Sequence, residues 1–155
     1  MLNLLIDTDY AGALIAFYQT MKNADIRVSD IQYVLATHYH PDHMGLIGRL
    51  VEQGVGLLLV DVQREKVHFS DQIFEKDRLP YSKINESAAT IISCEESRKF
   101  LSSIGIFGEI IHTPSHSEDS ISLILDDGSC LVGDLDPLEY LEAYGNKIHI
   151  CNTEC

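Results

Sequence analysis

Short apolar runs recur along the chain at lengths typical of β-strands, separated by polar or glycine-containing segments. The pattern predicts seven strands, at residues 2–6, 31–36, 55–60, 88–92, 109–112, 120–125 and 129–132. Helices are predicted at residues 11–21, 42–53 and 95–103. The first two have apolar residues spaced along one helical face, and the third follows an S-x-x-E capping box formed by Ser93 and Glu96.

Strands that alternate with helices and then end in a hairpin are typical of an α/β protein with a mixed sheet. The hairpin is predicted from the D-D-G-S turn at residues 126–129, which makes the last two strands antiparallel neighbours. Residues 61–85 are the least regular segment and are predicted to form a long loop or a flap over a site. With no linker or repeat, one domain over residues 1–155 is expected.

The charge and hydrophobicity of the sequence limit the kinds of partner that the protein is expected to bind. The chain has 11 basic and 24 acidic residues and a formal net charge of −13, which repels nucleic-acid phosphates and anionic membranes. A nucleic-acid partner is therefore disfavoured. The sequence has neither the pattern of a secretory signal at its start nor an apolar run near the roughly 20 residues of a membrane helix, so a cytoplasmic protein without a membrane partner is expected.

The four cysteines, Cys94, Cys130, Cys151 and Cys155, contain no C-x-x-C pair. This spacing argues against a zinc ribbon or a thioredoxin-like motif. Free thiols are the expected state in a reducing compartment.

Potential metal ligands are concentrated in residues 37–43, which read T-H-Y-H-P-D-H directly after a predicted strand. In extended backbone His38 and His40 point the same way, so both imidazoles can reach one ion. Pro41 then forces a turn, and Asp42 and His43 begin the next helix, where they can face a second ion. Imidazole nitrogens and carboxylate oxygens are zinc ligands, and burying so many polar groups without a partner would cost several kcal/mol.

This H-x-H-x-D-H segment resembles the hallmark of the metallo-β-lactamase-fold superfamily of hydrolases. A second segment, H-T-P-S-H-S-E-D-S at residues 112–120, is similar to a later metal segment of that family and implies that His116 is a ligand. A third, L-V-G-D-L at residues 131–135, implies that Asp134 bridges two metals. The early strand that ends at Asp7 resembles the family strand whose Asp supports the metal-binding loop.

The resemblance spans about residues 4–137 and implies an αββα sandwich, apparently shortened at both ends relative to the family. The family's last ligand is a His on a late strand, for which His149 and Cys151 are the remaining candidates. If neither binds, the second ion keeps only Asp42, His43 and Asp134 from the protein. Shortened flanks would also expose a sheet edge, which makes a homo-oligomer plausible.

The implied ligand set comprises His38, His40, Asp42, His43, His116 and Asp134. Zinc is the expected metal, with two ions in the site, although manganese or iron could use the same nitrogen and oxygen ligands. Two such ions activate a shared water at neutral pH, and Asp42 or Asp134 would orient this water and accept its proton.

The expected activity is hydrolysis of a small ester, thioester, lactone or phosphodiester, and the sequence does not choose among them. The diiron branch of the family has Glu where this chain has His40, which argues against redox chemistry. The alternative is a non-catalytic module of the same fold, which keeps a metal for folding or serves as a subunit of an assembly. Outside the ligand set, His68 is expected in solvent, His112 either beside the site or buried, and Tyr39 packed away from the metals.

Overall fold

The computed structural model describes residues 2–136. Four parallel strands form one sheet in the order β1 (Leu2–Ile6), β2 (Ile31–Leu35), β3 (Gly56–Val60) and β4 (Thr90–Ile92). Three antiparallel strands form a second sheet in the order β5 (Gly108–His112), β6 (Ile121–Leu125) and β7 (Cys130–Leu131). All seven predicted strands are therefore confirmed to within two residues at each end. The expected single mixed sheet is wrong, because parallel and antiparallel strands lie in separate sheets.

Five α-helices connect or flank these strands in the described part of the chain. They are α1 (Leu14–Asn23), α2 (Pro41–Met44), α3 (Ile47–Glu52), α4 (Asp71–Asp77) and α5 (Cys94–Ser103). Short 3-10 helices occur at Ala11–Ala13, Val28–Asp30, Asp61–Lys66 and Glu86–Ala88. The predicted capping box of α5 is confirmed, with Ser93 Oγ accepting from the Glu96 amide at 3.2 Å.

The central strands β2 and β3 of the four-stranded sheet are largely buried, and their successive side chains point to opposite faces. Val34, Leu57 and Leu59 face one hydrophobic core under helices α1 to α4. Leu35 and Leu58 face the other core, which lies between the two sheets and includes residues of α5. Two sheets with helices packed around them give the layered architecture that the resemblance implied.

The predicted helix at residues 42–53 is wrong in one respect, since it is two helices with a break at Gly45 and Leu46. The amide of Gly45 donates to the carbonyl oxygen of Asp9 at 3.0 Å, and the amide of Leu46 donates to Thr8 Oγ1 at 3.1 Å. A Cβ atom at position 45 would lie 2.3 Å from the Ala11 nitrogen. Because Gly45 has no Cβ atom, the loop after β1 can approach the end of α2 closely.

The segment at residues 61–85 is not a loose loop. It contains the 3-10 helix Asp61–Lys66 and helix α4, and it places Val67, Phe74 and Ile84 in the first core. Short helices interrupted by charged residues leave too little periodicity for sequence analysis to detect. The segment also contacts the histidine loop, since the Ser70 hydroxyl donates to the Tyr39 carbonyl oxygen at 2.7 Å.

Within residues 2–136, no helix combines the length and the apolar character needed to cross a bilayer.

Candidate metal centre

The histidine segment leaves the carboxyl end of β2, which lies between β1 and β3 in the parallel sheet. Thr37 anchors its start, because the Thr37 amide donates to Asp7 Oδ1 at 2.7 Å and its hydroxyl donates to Asp7 Oδ2 at 2.9 Å. His40 ends the extended stretch with φ −75° and ψ 156°, and Pro41 begins α2. A strand end followed by a helix start therefore presents these side chains at one edge of the sheet, as the sequence predicted.

His38, His40 and His116 converge although His116 belongs to the loop between β5 and β6. Their candidate ligand atoms all lie within 4.8 Å of one another. The closest pair is His116 Nε2 and His40 Nδ1, 3.0 Å apart. The two segments that the sequence identified separately thus supply one cluster of three imidazoles, here called the three-histidine group.

A second group shares His38 and adds His43 and Asp134, again with ligand atoms within 4.8 Å of one another. Asp134 Oδ1 lies 3.2 Å from His43 Nε2, and Asp134 Oδ2 lies 3.5 Å from His116 Nε2. The Asp134 carboxylate therefore faces an imidazole of each group. This location between the groups is where the resemblance puts a bridging Asp, and the bridging role itself stays a prediction.

Asp42 lies at the edge of the cluster. Its side chain is 63% exposed, and its Oδ2 is 3.8 Å from His43 Nε2. It belongs to neither group of converging ligand atoms. The structure therefore brings five of the six predicted ligands together, and Asp42 would need to rotate inward to bind the same ion as His43.

Burial controls the protonation of the central imidazole. His38 is fully buried, and the removal of solvent together with the nearby His43 and His40 imidazoles lowers its pKa to about 4. Burial and His116 also lower the pKa of His40. These imidazoles are neutral at pH 7, the state in which a ring nitrogen can bind a metal.

The pKa of His43 is raised, in contrast to those of His38 and His40, because its Nδ1 donates a hydrogen bond to Asp7 Oδ2 at 2.9 Å. That bond holds Nδ1 as the protonated nitrogen and leaves Nε2 facing Asp134. A ligating imidazole commonly donates its other N–H to a carboxylate in this way, which fixes the ring orientation. The prediction that Asp7 supports the ligand loop is confirmed by these contacts.

The cluster fits a metal ion better than it fits a protein hydrogen-bond network. His38 Nε2 is buried and has no hydrogen-bond partner among residues 2–136. An unpaired buried polar atom costs about 1–3 kcal/mol, whereas an ion at the centre of neutral imidazoles would satisfy it. Nitrogen donors with a carboxylate are a set that suits zinc, manganese or iron.

Sequence analysis missed two buried polar residues that hold the ligand loops. Gln63 Nε2 donates to the carbonyl oxygen of Ala36 at 2.9 Å, and it also reaches the carbonyl oxygen of Asp119 at 3.3 Å. Asp119 is 2% exposed, and its Oδ2 accepts from the Tyr39 amide at 2.8 Å. The available signal for Asp119 was its charge directly before a buried strand, inside the segment that contains His116.

The remaining candidates within residues 2–136 contribute no ligand to these groups. His68 is partly exposed, but it lies 3.0 Å from both Asp71 and Glu86 instead of being surrounded by solvent alone. His112 is exposed, and its Nε2 lies 2.7 Å from the Glu118 carbonyl oxygen. Tyr39 packs in the core, as expected. His149 and Cys151 lie outside the described residues.

Comparison with known proteins identifies the family. The family model described as the metallo-beta-lactamase superfamily matches residues 2–139. The chain belongs to that superfamily. The predicted family and fold are therefore confirmed, whereas the ligand assignments stay predictions. No curated protein matches this chain in sequence.

Solved structures with the same fold include three representative neighbours. A metallo-beta-lactamase from Cronobacter sakazakii with a HARLDQ motif has a TM-score of 0.56 and 21% identity over 83% of this chain and 52% of its own. MIM-1 from Novosphingobium pentaromativorans has a TM-score of 0.59 and 18% identity over 94% of this chain and 59% of its own. TTHA1623, in a di-iron-bound form, has a TM-score of 0.60 and 24% identity over 86% and 62%. This superfamily member thus spans between half and two thirds of each of these three structures.

Proposed function

We propose that this protein is a metal-dependent hydrolase that uses an activated water on a small ester, thioester, lactone or phosphodiester. The observation that carries the proposal is the convergence of His40, His43 and His116 around His38, whose buried Nε2 has no hydrogen-bond partner among the residues that the structure describes. Imidazoles from two distant loops that meet around one unsatisfied nitrogen are expected of a metal centre and are unusual in a metal-free core.

The three-histidine group would hold one ion. His43 and Asp134 would hold a second, together with Asp42 if its exposed carboxylate turns inward. Zinc in two sites is the expected loading, and manganese or iron would suit the same donors. Bound divalent ions lower the pKa of water toward about 7 and polarise a carbonyl or phosphoryl oxygen.

The chain's own residues would orient that reaction. Asp134, whose two oxygens face His43 and His116, would hold the attacking water by hydrogen bonding. Asp42 is open to solvent 3.8 Å from His43 Nε2, so its carboxylate could accept the proton and release it to water. The Asp7 carboxylate would keep His43 Nε2 directed at the site throughout.

The net charge of the chain limits the kind of substrate that we propose. A net charge of −13 disfavours a long polyanion such as RNA, so a small molecule is the proposed substrate and nucleic acid is not a proposed partner.

Association of two or more copies of the chain is also proposed, because β1 is an edge strand within the described residues.

The test is metal analysis of the purified chain followed by activity measurements on a panel of esters, thioesters, lactones and phosphodiesters. We expect two ions per chain and turnover that chelation abolishes and added zinc restores. His116→Ala should lose both metal and turnover. His112→Ala is the matched control from the same segment, since the His112 side chain bonds the Glu118 carbonyl oxygen and belongs to neither ligand group. Wild-type protein that binds no divalent metal would exclude this function.

A second candidate is a non-catalytic module that keeps its metal for stability or assembly. The observation in its favour is Asp42, whose exposed carboxylate belongs to neither group of converging ligand atoms. Such a module predicts one tightly bound ion, a large loss of unfolding free energy on chelation and no turnover on the same panel.

A further inference from the structure

The loops that contain the three-histidine group are joined by one buried carboxylate, that of Asp119. Its Oδ2 accepts from the Tyr39 amide at 2.8 Å, and its Oδ1 accepts from the Ser117 hydroxyl. Asp119 is 2% exposed, and its contact with the Tyr39 amide is buried while its contact with Ser117 is partly buried. A carboxylate accepting hydrogen bonds in such surroundings is held more strongly than one at the surface.

The two partners of Asp119 are neighbours of the three imidazole ligands in the sequence. Tyr39 lies between His38 and His40 in sequence, and Ser117 directly follows His116. One carboxylate is therefore bonded within one residue of all three imidazoles. Because His116 is 76 positions from His40, local backbone preferences cannot set the 3.0 Å separation of their ring nitrogens.

A second set of bonds keeps Asp119 itself in place. The side-chain amide of Gln63, which is fully buried, reaches the backbone oxygens of Asp119 and Ala36. The amide of Ile121 donates to the Thr37 carbonyl oxygen at 2.9 Å. The start of β6 is thus bonded to the end of β2 at two positions, through Gln63 at Asp119 and directly at Ile121, so the Asp119 carboxylate has a fixed position between the loops.

We propose that Asp119 is the positioning residue that assembles the three-histidine metal site by connecting the Tyr39 amide to Ser117. This inference rests on the proposed metal-dependent function, but it concerns metal affinity and does not depend on the substrate. Loss of the carboxylate frees the two loops to separate, and the three imidazoles must then be brought together by the ion itself. Removal of residues that orient metal ligands commonly weakens metal affinity about 10- to 100-fold.

The chain provides a graded set of variants. Asp119→Ala removes both contacts, whereas Ser117→Ala removes one. In Asp119→Asn the amide oxygen can still accept from the Tyr39 amide and the NH2 group can donate to Ser117 Oγ. Asp71→Ala is the matched control, because Asp71 is also a buried carboxylate with several polar partners, and none of its described partners is adjacent to a ligand.

Zinc affinity is measured by competition with a chromophoric chelator, with circular dichroism to verify folding of each variant. We expect a loss of about 10- to 100-fold for Asp119→Ala, a smaller loss for Ser117→Ala, and near wild-type affinity for Asp119→Asn and Asp71→Ala. Equal affinity of wild type and Asp119→Ala, or an equal loss in Asp71→Ala, overturns the inference. If Asp119→Ala does not fold, Ser117→Ala decides, since an unchanged affinity there overturns it as well. Wild-type chain that binds neither zinc nor another divalent metal would instead exclude the proposed function.

Discussion

His43 Nδ1 lies 2.9 Å from Asp7 Oδ2, although 36 positions separate these residues in the chain. The same carboxylate accepts from the Thr37 amide and hydroxyl, so one side chain at the end of β1 orients both the start of the ligand loop and its last imidazole. A single substitution at Asp7 therefore tests how far metal binding depends on this orientation.

Asp7→Ala should weaken metal binding at the group that contains His43 and Asp134 by about 10- to 100-fold, because the His43 ring loses the acceptor that fixes it. Asp9→Ala is the matched control. Both residues have positive φ, 57° and 73°, so both alanine variants carry similar backbone strain, but the Asp9 side chain bonds only the Tyr10 amide among the described contacts. Metal titration of both variants measures the effect, and equal stoichiometry and affinity would show that Asp7 has no part in metal binding.

His38 should make the metal-free protein less stable in mild acid. Its pKa is about 4 in the folded chain, because of burial and the neighbouring imidazoles, and about 6.5 when unfolded. As pH falls from the higher value to the lower, the unfolded chain takes up a proton that the folded chain does not, so the unfolding free energy decreases by on the order of 3 kcal/mol.

Urea unfolding of metal-free wild type and His38→Gln at about pH 7 and about pH 4.5 measures this contribution. The variant should lose less stability than wild type between the two conditions. His43, whose pKa is raised by Asp7, acts in the opposite direction but is present in both proteins. Identical pH dependence of the two proteins would contradict the prediction.

Gly133→Ala should disturb the position of Asp134. Gly133 has φ 58°, and a Cβ atom there would lie 2.6 Å from Thr37 Oγ1, which also lies beside His38 and His43. We expect weaker metal binding and a loss of stability larger than the 1–2 kcal/mol or so of the left-handed conformation alone.

Gly128→Ala is the control, since Gly128 has φ 90° but no atom of the described residues lies within 4 Å of the added Cβ. It should cost only the backbone strain and leave metal affinity unchanged. Metal titration and thermal unfolding of both variants distinguish a close approach at Gly133 from a general effect of positive φ.

Asp71→Asn should lower the unfolding free energy by about 1–3 kcal/mol, because it removes a buried charge that accepts from the Tyr81 hydroxyl at 2.6 Å and pairs with Lys83 at 2.9 Å. Burial by itself would raise the pKa of Asp71, but the hydrogen bonds from Tyr81 and Lys83 outweigh it and lower the pKa. The carboxylate therefore stabilises the fold above about pH 4 and loses this effect as pH falls through its lowered pKa.

Asp77→Asn, at the other end of α4, removes an exposed carboxylate that also accepts from a tyrosine hydroxyl, that of Tyr10. A surface interaction of this kind contributes about 0–1 kcal/mol. Denaturant unfolding of both variants at neutral pH compares them, and an effect of Asp77→Asn equal to that of Asp71→Asn would show that burial does not matter here.

Local information in the sequence was enough for most secondary structure and for part of the site. Apolar periodicity gives the strands, and the Ser93 and Glu96 pair gives the start of α5, because these signals involve neighbouring residues. The segment at residues 37–43 already contains three imidazoles, so its metal-binding character was visible without a fold. The addition of His116 and Asp134 required the family resemblance, since neither is distinctive alone.

Only the tertiary structure decided how these pieces meet. It separated the strands into two sheets, divided the predicted helix at Gly45, packed residues 61–85 into the core and left Asp42 at the edge of the ligand cluster. It also revealed the bonds of Asp119 and Gln63 to the ligand loops. The physical reason is distance along the chain: a buried hydrogen bond forms only where packing brings its donor and acceptor together, and here the partners are 27 to 80 residues apart.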